Sequence, residues 1–418
     1  MKLFFILFLI SFQIIAQVEY SEGVVSLDEY PGFYIDAANY QGNSPGKTRL
    51  DVYFQIPYAN LQFVKDQNKF RAKYSVTLTI YDEDKEKRIN EKIWNGKIEV
   101  NSFEDASSEN NFKFGFKSFE LQPDEYVLTC ILYDKDSKND YSVEAKLKVR
   151  EFANQINFSD ILLISSEIDS QIVLNISNSI SSSDSTLFFF YELNSDKEGA
   201  INIEYLVETE DEEIILQQNE LLEIDSGVNQ IKKKLDNSKI SLGKYKLIIK
   251  ALDADGDIIS GTSKSFVSKI HGFPSSITNL DNAIEQMAFI ASADIRDDML
   301  ESETYEEKLE KYKAFWKMKD PSPNSTQNEV LTEYYRRVSY ANKKFKHYYE
   351  GWRTDMGMIY IVLGPPDNVD RHPFEYNSKP YEVWYYYDIN QSFYFIDETG
   401  FGDYRLLNRD YDWFRYGM

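Results

Sequence analysis

Residues 351–367 read Gly-Trp-Arg-Thr-Asp-Met-Gly-Met-Ile-Tyr-Ile-Val-Leu-Gly-Pro-Pro-Asp. The run Met358–Leu363 is apolar throughout, which predicts a central strand buried on both faces. Ahead of it, Gly351 is expected to let the chain leave a helix at positive φ, and Trp352 to plug a core. Thr354 and Asp355 are expected to bond backbone amides within the turn, with Gly357 easing the tight approach to the strand. Gly364, Pro365, Pro366 and Asp367 then make a rigid corner, since proline fixes φ.

Downstream, Tyr381–Tyr387 and Phe393–Ile396 read as two strands of a hairpin joined by Asp388–Ser392. Asp397-Glu398-Thr399-Gly400 turns into a last strand near 403–407. Upstream, three helical stripes are spaced at i, i+3, i+4. They are Leu280, Ile284, Met287 and Ala291; Tyr305, Leu309, Tyr312 and Trp316; and Val330, Tyr334, Val338, Ala341 and Phe345. Asp320-Pro321-Ser322-Pro323 stops the second helix. Residues 334–418 hold 24 aromatics, so large rings must build the core of this segment or form a binding face. Glu382, Trp384 and Tyr386 share one strand face and are candidates for such a surface.

The N-terminal two thirds are short alternating runs separated by polar turns, among them Arg49–Ile56, Tyr74–Tyr81, Phe112–Phe116, Tyr126–Tyr133 and Val143–Val149. Such text predicts antiparallel sandwiches. An internal match at an offset of 119 residues aligns Tyr126-Val127-Leu128 with Tyr245-Lys246-Leu247. It predicts two copies, each with a tyrosine that closes a corner by bonding backbone upstream. The expected fold is therefore multidomain: two tandem all-β immunoglobulin-like sandwiches (17–152 and 153–272), then an α+β C-terminal domain over 277–418. In that domain helices about 280–346 pack on a small aromatic-rich antiparallel sheet about 356–407.

Met1-Lys2, the apolar run Leu3–Ile15 and Ala16 describe a secretory signal peptide over 1–16. No later segment of the mature chain is long and apolar enough for a transmembrane span. Cys130 is the single cysteine, so no internal disulfide is available. The net charge of −23 argues against nucleic acid or an anionic membrane as partner and leaves a cationic partner open.

The C-terminal third resembles the GWxTD-domain family. The resemblance rests on Phe315-Trp316, Asp320-Pro321, Asn328-Glu329, Glu333-Tyr334-Tyr335-Arg336-Arg337, Tyr340-Ala341-Asn342 and Phe345. It continues through Gly351-Trp352-x-Thr354-Asp355, Gly357, Gly364-Pro365-Pro366-Asp367, Trp384-Tyr385-Tyr386 and Phe401-Gly402-Asp403-Tyr404-Arg405-Leu406. It implies an exported protein of the Bacteroidetes type and a domain architecture, and it supplies no reaction. Two positions depart from the family's pattern: Met356 and Lys319 stand where arginine is usual.

Signatures of catalysis are sparse. His-Glu-x-x-His, Gly-x-Ser-x-Gly and a phosphate-cradling glycine loop are all absent, and there are three histidines. A glycosidase needs only two carboxylates, which keeps Asp355 with Asp367, Glu382, Asp388 or Asp397 as catalytic candidates. Asp367, Asp370 and His372, with Asp355 or His347 as a further ligand, are of types that hold a divalent ion. Their Asp-x-x-Asp-x-His loop spacing fixes no geometry. Asp253-Ala254-Asp255-Gly256-Asp257 lacks the pattern of a calcium loop and reads as a hairpin turn.

The sequence thus points to an exported cell-envelope protein, periplasmic or extracellular. It would act as a non-enzymatic structural or interaction module, with sandwich spacers and the C-terminal domain as interaction head. It implies no cofactor, and its partner would be an envelope protein or glycan. The alternatives are a carbohydrate- or peptidoglycan-active hydrolase using paired carboxylates, and non-catalytic glycan binding through exposed aromatics.

Overall fold

The computed structural model describes residues 33–407 apart from 109–110, 154, 169–170, 182–185, 271–272, 275, 324–327 and 374–378. The expected signal peptide lies outside the described residues. The protein is mainly β, with several sheets, and its longer helices are confined to the C-terminal third.

The first unit comprises β1 (Tyr34–Gln41), β2 (Thr48–Pro57), β3 (Val64–Asp66), β4 (Lys69–Asp82), β5 (Arg88–Val100), the short helix α1 (Phe103–Ala106), β6 (Phe112–Leu121), β7 (Asp124–Asp134) and β8 (Asp140–Val149). One sheet runs β1-β2-β6; the other runs β3-β4-β7-β8, with β5 also paired to β4. Alternation puts Leu50, Val52 and Phe54 of the first sheet against Val76, Leu78, Ile80 and Cys130 of the second, in one core. Burial pushes the Cys130 thiol far above its usual range.

The second unit repeats this order with β9 (Ile156–Phe158), β10 (Leu162–Ile168), β11 (Gln171–Leu174), β12 (Ser179–Ser181), β13 (Thr186–Ser195), β14 (Gly199–Thr209), β15 (Ile214–Ile224), β16 (Gly227–Asp236), β17 (Gly243–Leu252) and β18 (Ile258–Lys269). Its sheets are β11-β10-β13-β16, with β9 on β13, and β12-β18-β17-β14-β15. Hence β1-β2-β6 corresponds to β10-β13-β16, and β5-β4-β7-β8 to β15-β14-β17-β18. The 119-residue match falls on β7 and β17. Tyr126 Oη donates to the Gln122 carbonyl at 3.0 Å. Tyr245, 119 residues on, instead shares a 3.1 Å hydrogen bond with the Ser241 hydroxyl, because a side-chain partner stands there.

The two units are joined by a buried seam. Ala38, Tyr40 and Tyr53 of the first pack on Leu162 and Ile176 of the second. Lys264 Nζ reaches both oxygens of Asp36 at 2.7 and 2.6 Å, with both side chains 1% exposed. Asp160 accepts from the Asn39 amide and side chain and pairs with Arg150 at 2.6 Å.

The C-terminal segment contains α2 (Leu280–Gln286), α3 (Ala293–Leu300), α4 (Tyr305–Met318), α5 (Glu329–Lys344) and α6 (Asp355–Leu363). Strands β19 (Asn368–His372), β20 (Tyr381–Tyr386), β21 (Gln391–Asp397) and β22 (Tyr404–Leu406) form an antiparallel sheet in sequential order. Side chains of Asn279, Thr304, Asn328 and Thr354 cap the starts of α2, α4, α5 and α6. The three helical stripes face one core around Tyr312, Trp316, Tyr334 and Tyr335. The buried tyrosine hydroxyls stay satisfied: Tyr312 donates to Tyr335, Tyr335 to the Ala283 carbonyl and Tyr334 to that of Gln286.

Two expectations about these elements are corrected. Met358–Leu363 is helical, forming most of α6 and not a strand. This helix is buried on nearly every side, between Ile361 in one core and Met356, Ile359 and Tyr360 in the next. It therefore has no polar stripe to reveal its period. Asp370 and His372 lie on strand β19 and not in a loop. Helix α3 and strand β5 were not foreseen, because α3 buries only Met299 and β5 leaves Ile89 and Ile93 exposed.

Candidate functional site

Each residue of the Gly-Trp-x-Thr-Asp block has a local task in fixing the joint between α5 and α6. Gly351 begins a 3-10 turn packed so closely on α5 that a Cβ would lie 1.9 Å from the Ala341 carbonyl oxygen. The expected positive φ is not the reason for this glycine; it is absent from the positive-φ residues. Trp352 is buried, its amide donating to Asn342 Oδ1 and its indole to Glu350. The Arg353 guanidinium lies 4.2 Å over the indole ring.

Thr354 donates to the Gly351 carbonyl at 2.7 Å and accepts from the Gly357 amide at 3.0 Å, which caps α6. Gly357 eases no strand approach, as had been expected; it sits in the first turn of α6, where a Cβ would meet the Gly351 oxygen at 1.9 Å. Asp355 reaches out of the turn: its Oδ2 accepts from the Leu406 amide of β22 at 2.8 Å. Helix α6 ends at Gly364, φ 84°, beside Arg337, which donates to the Ile361 and Val362 carbonyls.

A second fixed turn faces this joint. Asp397 accepts from the amides of Thr399, Gly400 and Gly402 and from the Thr399 hydroxyl. Burial pushes its carboxyl up, but those donors pull harder and hold it below the usual range. His347 ties this turn to the loop before the motif through Nε2 and the Phe401 carbonyl at 2.7 Å. The rings of His347 and Tyr348 meet edge-on at 4.3 Å. Around this tie stand Tyr348, Tyr349 and Phe401, exposed by 81%, 61% and 77%. Exposed Lys343, Lys344 and Lys346 precede them in the chain. The sequence reading missed these three rings as site residues; the available signal was an adjacent Tyr-Tyr pair between a helix end and the motif.

The candidate acids are spread over separate structural tasks. Asp367 accepts from the Tyr387 amide at 2.6 Å. Glu382 takes the Trp384 indole and the Arg371 guanidinium, each at 3.1 Å. Tyr404 lies near both Glu382 and Asp397, and burial and then those charges push its phenol up. Asp388 is exposed in the β20–β21 turn. Asp370 and His372 are 3.2 Å apart, and the His372 ring stacks on Tyr381. Among the described residues no three Asp, Glu, His or Cys side chains group to hold a metal ion. Asp253 turns its own hairpin by accepting from the Asp255 and Asp257 amides. Trp384 and Tyr386 are core residues, 3% and 6% exposed, so the face expected to present them points inward.

Glu333 fastens the other side of α6. It pairs with Arg336 and Arg337, at 2.6 and 2.7 Å. The Arg336 bonds hold its carboxyl down to about 2, against burial and with help from Arg337. A depressed carboxylate stabilises the fold above the usual 4.5, and that contribution is lost as pH falls toward about 2. Since its side chain is 35% exposed, solvent screening keeps the effect within about 1 kcal/mol. Glu333→Gln is therefore expected to lower the urea midpoint at neutral pH and to match the wild type near pH 2. An equal deficit at both pH values refutes the assignment.

Residues 251–410 match the GWxTD domain. The chain carries a GWxTD domain. The match covers the joint, the Asp397 turn and all of α2–α6 and β19–β22, and it begins upstream of the helices, in β17. No curated protein matches the chain. Solved structures similar to it include red sea bream transglutaminase, 8% identical, covering 57% of this chain and 32% of that one at a TM-score of 0.19. A glycosyl hydrolase family 2 member from Bacteroides cellulosilyticus is 9% identical, covering 53% and 28% at 0.23. The chain thus spans less than two thirds of the length of these proteins, and at such scores the likeness carries no argument. No helix of the described residues that carry the GWxTD domain and its neighbours is long and apolar enough to cross a membrane.

Proposed function

We propose that this chain is an exported cell-envelope protein that binds a partner without transforming it. In this reading two tandem immunoglobulin-like sandwiches form an arm, and the GWxTD domain is the head. The observation that carries it is the pairing of fixed loops with bare rings. Gly351, Trp352, Thr354 and Asp355 on one side, and Asp397 on the other, immobilise two loops. Those loops present Tyr348, Tyr349 and Phe401 to solvent. Exposed aromatics on rigid backbone lose little entropy on docking and are typical anchors of binding surfaces. Asp355, Asp367, Glu382 and Asp397 meanwhile serve as acceptors that hold this backbone or neighbouring side chains.

Photocrosslinking in intact cells tests the proposal. A photoreactive phenylalanine at position 348 or 401 is expected to give discrete adducts that the same group at position 93, exposed on the first unit, does not. Absence of adducts from both positions overturns the reading. So does depolymerisation of envelope glycan by the purified protein that Asp355→Asn abolishes without changing the fold; that result establishes the hydrolase.

A further inference from the structure

The second unit carries a sheet edge with few guards. Strand β15 ends the order β12-β18-β17-β14-β15, so one side of its backbone has no strand partner among the described residues. Exposed edges of this kind template the addition of another strand, and proteins blunt them with charged side chains, above all lysine, with proline, with bulges or with a covering element. The other long edges obey that rule. Strand β5 carries Arg88, Lys92, Gly96 and Lys97; β6 carries Lys113, Gly115 and Lys117; β8 carries Lys146 and Lys148; β16 carries Lys232, Lys233 and Lys234. Strand β1 lacks a base but is covered by the second unit at Asp36, Ala38, Asn39 and Tyr40. Strand β15, Ile-Ile-Leu-Gln-Gln-Asn-Glu-Leu-Leu-Glu-Ile, has 11 residues and no Lys, Arg, Pro or Gly; its guards are Glu220, Glu223 and a register shift near Ile214–Leu216, at the end away from Leu221.

Two further features show what this edge would accept. At its C-terminal end β15 runs into a cavity of about 290 Å³ whose lining sets Leu221, Ile224 and Ile259 beside Lys197, Glu198 and Asp253. Leu221 and Ile259 are 64% and 40% exposed at that cavity. The surrounding charge is mainly negative: from Glu198 to Ile231 there are ten acids and no base, and three of those acids, Glu204, Glu210 and Glu220, pair with lysines, Lys250, Lys244 and Lys233. Antiparallel pairing of β15 with a second copy centred on Glu220 or on Glu223 would set that glutamate against its equivalent, and like charges across strands destabilise the pair. A basic strand meets the opposite situation.

We propose that β15 is a docking edge for an extended, lysine- or arginine-rich peptide segment that adds as a sixth strand and seats an apolar side chain in the slot at Leu221. Main-chain hydrogen bonds would supply affinity, the slot would select one apolar position, and the acidic hairpin would select the charge. This surface is separate from the GWxTD rings, so the proposal stands or falls independently of the head's role.

The test uses the full mature chain and a fluorescein-labelled peptide of alternating lysine and valine, read by fluorescence anisotropy. Binding is expected, weakening with added salt. The same peptide N-methylated at alternate residues on the pairing edge, and the Leu221→Lys protein with the unmodified peptide, should each bind at least roughly tenfold more weakly. A glutamate–valine peptide should not bind. Equal binding of the N-methylated peptide would show adherence by charge alone and overturn the proposal. Unchanged affinity of Leu221→Lys, or no binding at all, overturns it too. A concentration-dependent dimer that Leu221→Lys dissolves would identify a second copy as the occupant and also refute it.

Discussion

Gly351→Ala is expected to unfold the GWxTD domain at moderate denaturant while leaving the first sandwich unit intact. The added methyl would lie 1.9 Å from the Ala341 carbonyl oxygen and 2.8 Å from the Asn342 Cα, both backbone atoms of α5. No rotamer change can relieve a contact with backbone, so the 3-10 turn must lift from the helix. That movement pulls Trp352 from the core and shifts the Thr354 cap. Overpacking usually costs about 1–3 kcal/mol, occasionally more, and this site belongs at or above the top of that range. Gly256→Ala is the control: its Cβ meets nothing within 4 Å, although φ is +88°. It should cost only about 1–2 kcal/mol from backbone strain. Urea unfolding followed by tryptophan fluorescence reads Gly351→Ala, and far-UV circular dichroism reads Gly256→Ala, whose unit holds no tryptophan. A Gly351→Ala cost no larger than that of Gly256→Ala would mean the joint is not close-packed.

The second large effect is expected at the seam between the sandwich units. Removing one member of a buried ion pair leaves the other charge without compensation, which costs about 3–5 kcal/mol. Asp36→Ala should therefore strongly destabilise both units. Replacing both members by apolar residues of similar size, Asp36→Leu with Lys264→Met, should recover most of the loss, since such swaps are often neutral or stabilising. Burial pushes the Asp36 carboxyl up against the pull of Lys264, so desolvation offsets much of the attraction within the pair. Calorimetry of Asp36→Leu, Lys264→Met and the double variant provides the cycle. Independent, additive losses would show that the two residues do not act as a pair.

Legibility in the sequence followed the degree of solvent contact. Strands such as β4 and β7 have one wet face, so alternation announces them, and the 119-residue repeat of Tyr-x-Leu marks one corresponding strand in each unit. Helices α4 and α5 likewise expose a polar side and were read from their stripes. Helix α6 has almost no wet face, and an apolar run without a period is the same text for a buried helix and a buried strand. Its true signals were the ends: Thr354 three residues before Gly357, and Gly364 at positive φ. Lys264 was invisible for the opposite reason. It occupies an inward position two residues from Phe266 in β18, where alternation predicts an apolar side chain, and its partner Asp36 is 228 residues away.

The site shows the same limit. Strand period separates Trp384 and Tyr386 from Tyr385, but it does not say which set meets the core. Packing of the sheet on α6 turned Trp384 inward and left exposure to Tyr348, Tyr349 and Phe401, which lie on loops where no period operates. The motif's acid was assigned to its own turn, yet Asp355 bonds an amide 51 residues downstream. Contacts of that range come from the fold and not from local text.

Cys130 gives the molecule a built-in reporter. Its thiol is 0% exposed between the two sheets of the first unit, and burial keeps it protonated, so a folded chain offers alkylating reagents no thiolate. Brief exposure to maleimide would then count only those molecules whose first sandwich had opened. The same silence makes the chain a blank background for labelling, so a cysteine introduced at position 221 or 348 would be its sole reactive sulfur.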